Sequence, residues 1–361
     1  MKNLFFSVIL LALTYAGAAQ SSLHTDEVLG LAGKVADWQL ANPGEKAQNT
    51  WEYGTFYSGL IDLYQVTREK KYLDAIVKMG EEINWELRPR PYDANVYAIG
   101  HALFELYEIT GEKYMIDKLR HTMDMPLMRW LEPEVVFDGN KYWWEWWTWC
   151  DALFMAPPTY ARGAKLLNRP EYLDYMVKMW KLTSDYLYSP EDSLYFRDDR
   201  FFKKREDTGV KIFWSRGNGW VIGGLCKVLE YLPEDHPERP FFEHQFVEMM
   251  TRVKDLQLES GGWPTSLLRT DDNKVIETSG TAFFCYGMAW GINHHLLSEK
   301  EFLPSVSSAW KLLESCVEED GKLGYVQQVG DQPDEVSRED TEAYGTGALL
   351  MAGSELYKLL K

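Results

Sequence analysis

The stretch Gly54–Ile83, GTFYSGLIDLYQVTREKKYLDAIVKMGEEI, decides the fold, because its pattern recurs along the rest of the chain. It joins an apolar helix rich in small residues to a turn and a second, amphipathic helix. The next copy, AIGHALFELYEITGEKYMIDKLRHTM from Ala98, repeats Leu63-Tyr64 as Leu106-Tyr107. A helix pair that recurs in this way indicates a repeat architecture, in which each pair buries its apolar face against its neighbours.

Four further copies follow the same plan. They begin at Asp151, Gly217, Gly280 and Gly345, and the sixth lacks its second helix because the chain ends. The N-terminal segment Asp26–Ala41 is predicted to be helical and can fill that place. The first helices are nearly apolar all round, which suits an inner ring packed on both sides. We therefore predict an all-α (α/α)6 barrel, a six-hairpin toroid with an inner and an outer ring.

Signals for β-strands are confined to three insertions, Glu134–Trp144, Ser193–Phe213 and Trp263–Ile276. They precede the third, fourth and fifth inner helices, so short β-hairpin loops are expected on one rim. Elaborated loops at one end of a rigid scaffold usually carry function. No linker rich in Pro, Gly or Ser divides the chain, and residues 20–361 are predicted to form a single catalytic domain.

The N-terminal segment has the pattern of a cleavable export signal. Lys2 supplies the positive charge, Leu4–Leu13 the apolar core and Ala16-Gly17-Ala18 the small-residue cleavage site. We expect a signal peptide over residues 1–19 and a periplasmic or secreted mature protein. The apolar run is too short to span a bilayer, so no membrane partner is expected.

Composition narrows the partners further. A formal net charge of −17 disfavours binding to nucleic acid, whereas an aromatic share of 14% fits a protein that handles carbohydrate. The cysteines show no CxxC spacing, which favours buried free thiols. Because no metal-binding, Walker or Rossmann motif is present, we expect neither a metal ion nor a cofactor. The sequence leaves the oligomeric state open.

A run of tryptophans beside one carboxylate is the first candidate site. Trp143, Trp144, Trp146, Trp147 and Trp149 precede Asp151, which begins the third inner helix. Flat aromatic faces beside an acid suggest a sugar-binding cleft with an acid catalyst. Burial would raise the pKa of this carboxyl, and the helix dipole would oppose that rise. The alternative is that Asp151 only caps the helix.

Three other rim segments offer binding residues. In Phe213–Trp220, FWSRGNGW, Arg216 can grip a carboxylate, with Trp214 and Trp220 stacking on sugar faces. The alternative is a turn whose arginine makes a structural ion pair. In Gly261–Ser266, Trp263 can line the cleft. Thr278-Ser279 fits a cleft wall or a helix N-cap equally well. The charges around Arg197 suggest a solvated hairpin, with a substrate contact as the alternative.

These residues resemble glycoside hydrolase family 105, the unsaturated rhamnogalacturonyl hydrolases, and more distantly the unsaturated glucuronyl hydrolases of family 88. The resemblance rests on motifs in the family's order along most of the mature chain: WCDALFMAPP at Trp149–Pro158, FWSRGNGW, GGWPTS, ETSGTAFFCYGMAWGI at Glu277–Ile292 and TEAYGTGALLMAGSELY at Thr341–Tyr357. It implies an (α/α)6 barrel. It also implies a substrate with a 4,5-unsaturated uronic acid at its non-reducing end, as polysaccharide lyases produce.

The resemblance implies the chemistry as well. Asp151 protonates the double bond at C4 and then acts as base for the water that adds at C5, and the hemiketal collapses to release the saccharide. One acid then suffices, whereas ordinary glycosidases use two carboxylates at a set separation. In the same pattern Trp214, Arg216 and Trp220 contact the unsaturated sugar, and we infer that Arg216 pairs with its carboxylate.

The sequence departs from the family pattern at two places. An aspartate is usual at the start of the second inner helix, but the register here places Asn95 or Val96 there, with Asp93 close by but out of register. Asn95 can bind a sugar hydroxyl or water but cannot titrate. Some members have a histidine where this chain has Phe196–Asp198, and Arg197 brings a cation that can select a different neighbouring sugar or substituent.

The main prediction is an exported hydrolase acting on an acidic unsaturated oligosaccharide. One alternative is a non-catalytic saccharide-binding protein, with Asn95 marking lost activity. Another is a different (α/α)6 enzyme, either an epimerase or an inverting glycosidase. An epimerase needs a histidine base, for which His101 is the only candidate, and an inverting enzyme needs a second acid. Candidates for that acid are Glu145, Asp93 and Asp198. The parent polysaccharide, and galacturonyl against glucuronyl preference, stay open.

Overall fold

The computed structural model describes residues 23–269 and 276–361. Its α-helices are α1 (Thr25–Ala41), α2 (Trp51–Thr67), α3 (Lys70–Glu82), α4 (Gly100–Thr110), α5 (Asp117–Met128), α6 (Ala152–Met155), α7 (Pro157–Leu167), α8 (Pro170–Leu187), α9 (Ser215–Leu229), α10 (Arg239–Asp255), α11 (Thr278–Asn293), α12 (Glu299–Ser315) and α13 (Ala343–Leu360). The predicted third inner helix is divided into α6 and α7 at Ala156, since Pro157 and Pro158 begin a new helix there.

The inner helices close into a ring. In order, α2 packs against α4, α4 against α7, α6 and α7 against α9, α9 against α11, α11 against α13, and α13 against α2. The last contact is close: a side chain at Gly59 of α2 would overlap the backbone of Gly347 in α13. Every residue of α9 is buried, as expected for a helix covered on both sides. The predicted (α/α)6 barrel is confirmed.

The second helix of each pair lies outside the ring. Helices α3, α8, α10 and α12 each pack against the inner helix that precedes them, and α1 packs against α13. The N-terminal helix thus completes the sixth pair, as predicted. Its buried residues Val28, Ala32, Val35 and Gln39 recur at helical spacing on one face.

In the part of the rim insertions that the structure describes there is less β-structure than predicted, and residues 270–275 of the third insertion lie outside that part. One two-stranded antiparallel hairpin pairs Tyr188–Ser189 with Leu194–Tyr195, and single bridges join Arg205 to Lys211 and Trp214 to Ser266. The Glu134–Trp144 insertion is irregular except for a short 3-10 turn at Trp143–Glu145. Much of the backbone in these loops is paired with side chains and other loops, which alternation in the sequence does not show.

Several other predictions concern the chain as a whole. All four cysteines are buried and free, which confirms the predicted thiols. Among the described helices, none combines the length and apolar character needed to cross a membrane. The predicted signal peptide, residues 1–19, lies outside the described residues and stays a prediction.

Candidate active site

A cavity of about 290 Å³ opens at the rim where the inner helices begin. Its walls come from three of the inner helices, α2, α6 and α9, from the 3-10 turn before α4 and from the rim loops. The lining residues are Trp51, Asn95, Phe137, Trp143, Trp149, Asp151, Met155, Arg197, Trp214, Arg216, Trp220, Val329, Gly330 and Asp331. Of the residues that the sequence predicted for the site, Trp263 and three members of the tryptophan run, Trp144, Trp146 and Trp147, are not in this set.

Asp151 lies at the mouth of the third inner helix. It occupies the N-cap position of α6, yet its side chain accepts no hydrogen bond from the backbone of that helix. The capping interpretation is therefore wrong, and the carboxylate is directed to other groups. The thiol of Cys150 lies 3.5 Å from Oδ2 of Asp151 and can donate a weak hydrogen bond to it. Asp151 itself is 7% exposed.

Burial dominates the electrostatics of Asp151. It raises the pKa of this carboxyl above its ordinary value, while the charges of Arg197 and Arg216 oppose the rise. Nε of Arg197 lies 3.5 Å from Oδ2 of Asp151. A carboxyl with a raised pKa holds its proton closer to neutral pH, which is what a general acid requires.

Arg197 belongs to a chain of alternating charges that is buried at Asp198 and partly exposed at Asp331. Its Nη1 donates to Oδ2 of Asp198 at 2.7 Å, and Asp198 also accepts two side-chain hydrogen bonds from Arg200 at 2.8 Å. Arg200 in turn donates to Asp331 at 2.7 Å. Asp198 is fully buried and Arg197 is 8% exposed, so the prediction of a solvated hairpin is wrong. The tertiary fold covers these charges with the Phe137 ring and the Asp331 loop.

Arg216 holds a loop in place at the cavity wall. Its Nη1 donates to the carbonyl of Gln327 and, at 3.0 Å, to Oη of Tyr344, while Nη2 donates to the carbonyl of Gln328 at 3.0 Å. The guanidinium also stacks on Trp214, 4.4 Å from the ring centroid. Arg216 is fully buried and makes no ion pair within the described residues, so the structural ion pair is wrong, while its predicted grip on a ligand carboxylate stays a prediction.

Trp214 and Trp220 lie on either side of Arg216 along α9. The indole N–H of Trp214 donates to the side chain of Gln327 at 2.8 Å, which fixes the ring against the same loop. Trp220 packs edge-on against Trp51, with ring centroids 5.9 Å apart. Both tryptophans line the cavity, although only 2% of Trp214 and 1% of Trp220 is exposed. Their placement agrees with the predicted sugar-stacking role, which stays a prediction.

The tryptophan run before Asp151 divides between cavity and core. Trp143 and Trp149 line the cavity and meet edge to face, with centroids 5.3 Å apart. Trp147 is 1% exposed and packs against Tyr175 on α8. Only part of the run therefore forms the predicted wall, because neighbouring residues of an irregular loop point in different directions.

Trp263 was predicted to line the cleft, and this prediction is wrong. Its side chain is fully buried, its indole N–H donates to the carbonyl of Val253 at 2.8 Å, and its ring packs against Phe284. The Gly261-Gly262 turn directs the indole toward α10 and α11. A buried indole N–H needs a hydrogen-bond acceptor, and Trp263 finds its acceptor inside the core.

The second inner helix brings an amide to the cavity. Asn95 lines the cavity, whereas Asp93 does not and instead accepts a hydrogen bond from the Asn95 backbone N–H at 3.0 Å. Burial raises the pKa of Asp93 to about 6, opposed by that hydrogen bond and the charges of Arg90 and Arg88. The register inferred from the sequence thus agrees with the structure.

The alternative enzymes lack their catalytic groups here. His101 lies outside the cavity lining and packs against Phe154, with its Nε2 buried and unpartnered. Glu145 and Asp93 do not line the cavity, and Asp198 is covered by two arginines. Within the described residues, Asp331 is the only other carboxylate of the lining, and it is bound to Arg200.

The helix cap near Thr278-Ser279 differs from the predicted one. The side chain of Glu277 accepts hydrogen bonds from the backbone N–H groups of Ser279 at 2.9 Å and Gly280 at 2.6 Å. The same carboxylate accepts from the backbone N–H of Gln327 at 3.2 Å. Glu277 thus caps α11 and anchors the Gln327 loop, whereas Thr278 and Ser279 are fully buried and do not line the cavity.

Sequence reasoning missed some of the site. Trp51, Phe137, Asp331 and the 329–330 tip line the cavity, and Tyr344 packs behind it with its ring stacked on Trp51 at 5.1 Å. Trp51 and Tyr344 lie at the starts of inner helices, so their position was a usable signal. Asp331 sits in a long loop without periodicity, and no pattern marked it.

Comparisons with known proteins agree with this architecture. The sequence profile of Glycosyl Hydrolase Family 88 matches residues 30–360. A relative from Formosa agariphila, named unsaturated 3S-rhamnoglycuronyl hydrolase, is 36% identical over 99% of this chain and 100% of its own. The predicted resemblance and the predicted class of enzyme, a glycosidase, are confirmed.

Two solved structures share the fold closely. Glycosyl hydrolase family 88 from Bacteroides vulgatus has a TM-score of 0.83 at 26% identity, covering 94% of this chain and 100% of that chain. Polysaccharide Lyase BACCELL_00875 has a TM-score of 0.82 at 28% identity, covering 93% and 98%. Since the family profile and a full-length relative both match nearly the whole sequence, the chain belongs to Glycosyl Hydrolase Family 88.

Proposed function

We propose that this protein removes the non-reducing terminal 4,5-unsaturated uronic acid from oligosaccharides made by polysaccharide lyases, by hydrating the double bond. The proposal rests on one observation: the carboxyl of Asp151 is buried, has a raised pKa and lies in a cavity lined by tryptophans. The other lining carboxylate, Asp331, is engaged by Arg200. One free acid suits protonation of a double bond, whereas displacement at the anomeric carbon uses a pair.

The size of the cavity supports action at a chain end. At about 290 Å³ it lies near the lower limit of small-molecule pockets, which run from roughly 300 to 1,000 Å³. That volume suits one sugar ring and leaves the rest of the oligosaccharide outside. Trp143, Trp149 and Trp220 all line this cavity, which supplies aromatic surface for a sugar ring.

Asp151 supplies the proton that adds to the double bond. Protonated Asp151 donates to C4 of the double bond, and positive charge develops at C5 and the ring oxygen. Water then adds its oxygen to C5 and gives a proton back to the Asp151 carboxylate, which restores the starting acid. Asn95 lines the same cavity and can hydrogen-bond the water or a sugar hydroxyl. The hemiketal formed at C5 then collapses and releases the saccharide.

The named relative narrows the substrate. The Formosa agariphila protein is an unsaturated 3S-rhamnoglycuronyl hydrolase, and the similarity extends over its full length. We infer that the uronic acid removed by the present protein is attached to a rhamnose residue. The export signal predicted in residues 1–19 fits a periplasmic or secreted enzyme that meets such fragments outside the cytoplasm.

The test follows the ultraviolet absorbance of the conjugated double bond. Purified protein is mixed with unsaturated disaccharides prepared by lyase digestion, one with rhamnose and one with another sugar next to the uronic acid. Loss of absorbance together with release of the saccharide supports the proposal, and faster loss with the rhamnose substrate supports the inferred neighbour. No loss with any unsaturated disaccharide would overturn it.

The same measurement separates the hydrolase from a lyase, the activity named for one solved structure of this fold. A lyase creates the double bond from an intact polysaccharide, so absorbance rises. We expect no rise when the protein is mixed with intact rhamnose-containing polyuronates. A rise would show that the protein is a lyase and would overturn the proposed reaction.

A further inference from the structure

Two arginines reach the cavity, and they differ in the donors that remain free. Arg216 uses both terminal nitrogens on Gln327, Gln328 and Tyr344. Nε is buried and has no hydrogen-bond partner in both arginines, but of its terminal nitrogens Arg197 uses only Nη1, on Asp198. In the part of the chain that the structure describes, no protein group accepts from Nη2 of Arg197 either. Arg197 therefore keeps an adjacent pair of N–H donors.

The two arginines also differ in how much of the side chain is exposed. Arg216 has no exposed surface, whereas 8% of Arg197 remains accessible. Among the lining residues, charged side chains with exposed surface are Asp151, Arg197 and Asp331. Arg197 is the only positively charged side chain among these three. Within the described lining it is therefore the side chain that can bind an anionic ligand directly.

We propose that Arg197, rather than Arg216, receives the carboxylate of the unsaturated uronic acid, and that this contact frees Asp151 from the arginine so that it carries the catalytic proton. The inference rests on the proposed function. The Nε and Nη2 groups of an arginine form a fork that matches the two oxygens of a carboxylate. Nε, the donor nearest Asp151, is then taken by the substrate.

Charge around Asp151 favours this exchange. The groups facing it are Arg197 at 3.5 Å, the more distant Arg216 and the thiol of Cys150 at 3.5 Å. Behind Arg197 lie Asp198 and, through Arg200, Asp331. The Asp151–Arg197–Asp198–Arg200–Asp331 chain holds three carboxylates and two guanidinium groups. A substrate carboxylate adds another negative charge, and protonation of Asp151 offsets it.

The proposal also makes substrate binding and protonation interdependent. In the free enzyme Arg197 stabilises the ionised form of Asp151, which is the wrong form for a proton donor. The substrate's own carboxylate neutralises that effect, so a proton is taken up by Asp151 on binding. That proton passes to C4, and the water that adds at C5 returns one, leaving the charge of the chain unchanged over the cycle.

The experiment compares two substrates and four proteins. The substrates are the unsaturated disaccharide and its methyl ester, which lacks the negative charge on the same ring. The proteins are wild type, Arg197→Gln, Arg216→Gln and the control Arg169→Gln. Arg169 begins the outer helix α8, pairs with Asp124 and lies outside the cavity. Circular dichroism and thermal melts confirm that each variant is folded.

We expect wild type and Arg169→Gln to prefer the acid over the ester by roughly 30-fold or more in kcat/KM, the size associated with losing one partner of a buried charge pair. In Arg197→Gln the preference falls to about onefold to threefold. Arg216→Gln loosens the Gln327 loop and slows both substrates equally. If Arg216→Gln abolishes the preference and Arg197→Gln keeps it, the proposal is overturned.

A second readout guards against a purely structural effect of Arg197. Removing the cation raises the pKa of Asp151 in the free enzyme, so the alkaline limb of kcat/KM moves to higher pH in Arg197→Gln. Arg197→Lys keeps the charge and the position of the limb but loses the fork, so KM rises. A limb that stays in place in Arg197→Gln overturns the proposal. If Arg197→Gln does not fold, the limb and KM of Arg197→Lys and the acid preference of wild type decide.

Failure of this inference and failure of the proposed function are distinguishable. If wild type consumes the unsaturated disaccharide without an acid preference, the function stands and the role of Arg197 falls. If wild type consumes neither substrate, the proposed function itself is wrong.

Discussion

The two ends of the barrel both bury charges, but they use them differently. At the end away from the rim loops, Arg162 pairs with Glu105, and Lys227 pairs with Asp62 at 3.1 Å. The space left between these groups is about 10 Å³, enough for roughly one water-sized probe. At the rim end the cavity is about 290 Å³, and Asp151 and Arg197 keep exposed surface.

Buried charge alone therefore does not identify a site. The closed end has the geometry of a structural cluster, in which each carboxylate has a cation or an N–H donor: Glu105 also accepts from Gln65 at 2.8 Å. The rim end leaves donor and acceptor capacity free beside an open volume. His101 Nε2 is unpartnered at the closed end too, but among the described residues it is only at the rim that unused hydrogen-bonding capacity faces a volume large enough for a ligand.

The largest effect tests the rim end at Asp151. Asp151→Asn keeps the shape of the side chain but removes the proton donor, so turnover of the unsaturated disaccharide should fall by about 10³-fold. Absorbance assays measure the loss, and thermal melts should show an unchanged fold. As the matched control, Asp62→Asn at the closed end should retain the kcat of wild type. Near-normal turnover by Asp151→Asn would contradict the assignment.

The next effect tests the closed end through its buried pair. Arg162→Met leaves Glu105 without its cation, which should lower the free energy of unfolding by about 3–5 kcal/mol. The double variant Arg162→Met/Glu105→Leu removes both charges and should regain most of that loss. Urea titration measures stability, and kcat of the folded protein should not change. A single variant as stable as wild type would show that the pair is dispensable.

A smaller effect concerns Asp93, a buried acid at the rim that no side-chain cation holds tightly. Its carboxyl shifts from a pKa of 3.8 to about 6 on folding, so the folded state binds the proton more strongly. Stability from this group is present below about pH 4 and is lost as pH rises through 6. Two pKa units correspond to at most about 3 kcal/mol.

Asp93→Asn isolates this contribution because the amide stays neutral and can still accept from the Asn95 backbone. The difference in unfolding free energy between variant and wild type should grow in favour of the variant from pH 4 to pH 7. Denaturant titrations at several pH values measure it. A difference that is independent of pH would mean that Asp93 titrates normally in the folded protein.

The smallest effect tests the boundary between cavity and core at Trp263. Trp263→Phe removes the indole donor from the Val253 carbonyl, which keeps only the Leu256 backbone N–H, and should cost about 1 kcal/mol of stability. KM and kcat should stay at wild-type values, because the indole does not reach the cavity. Trp220→Phe is the companion variant from the cavity wall, and there KM should rise. A raised KM in Trp263→Phe would contradict its placement.

Periodicity and spacing predicted much of this molecule before its structure was known. The repeat begun at Gly54–Ile83 predicted the ring of helix pairs, and the predicted N-terminal helix takes its place beside α13. Inner-helix starts predicted Asp151, Trp149, Arg216 and Asn95 as neighbours, and all four line one cavity. Such positions are predictable because equivalent ends of repeated helices converge on one rim.

Side-chain direction in the loops escaped the same reasoning. Trp263 and Trp214 both precede inner helices, yet the Trp263 indole lies in the core and the Trp214 indole lies at the cavity wall. The charges at Arg197 and Asp198 read as solvent-exposed until the Phe137 and Asp331 segments covered them. Contacts between segments far apart in the chain have no local signature.

The sequence by itself determined the helical toroid, the family and the one acid at the head of the third inner helix. The period of apolar residues and the motif order depend on neighbours within a few turns of the chain. Only the tertiary structure decided which arginine is free, because Gln327 and Gln328 come from a loop more than a hundred residues from Arg216. Those carbonyls occupy both terminal nitrogens of Arg216, whereas Nη2 of Arg197 meets no acceptor in the described residues and its unpartnered Nε lies 3.5 Å from Asp151.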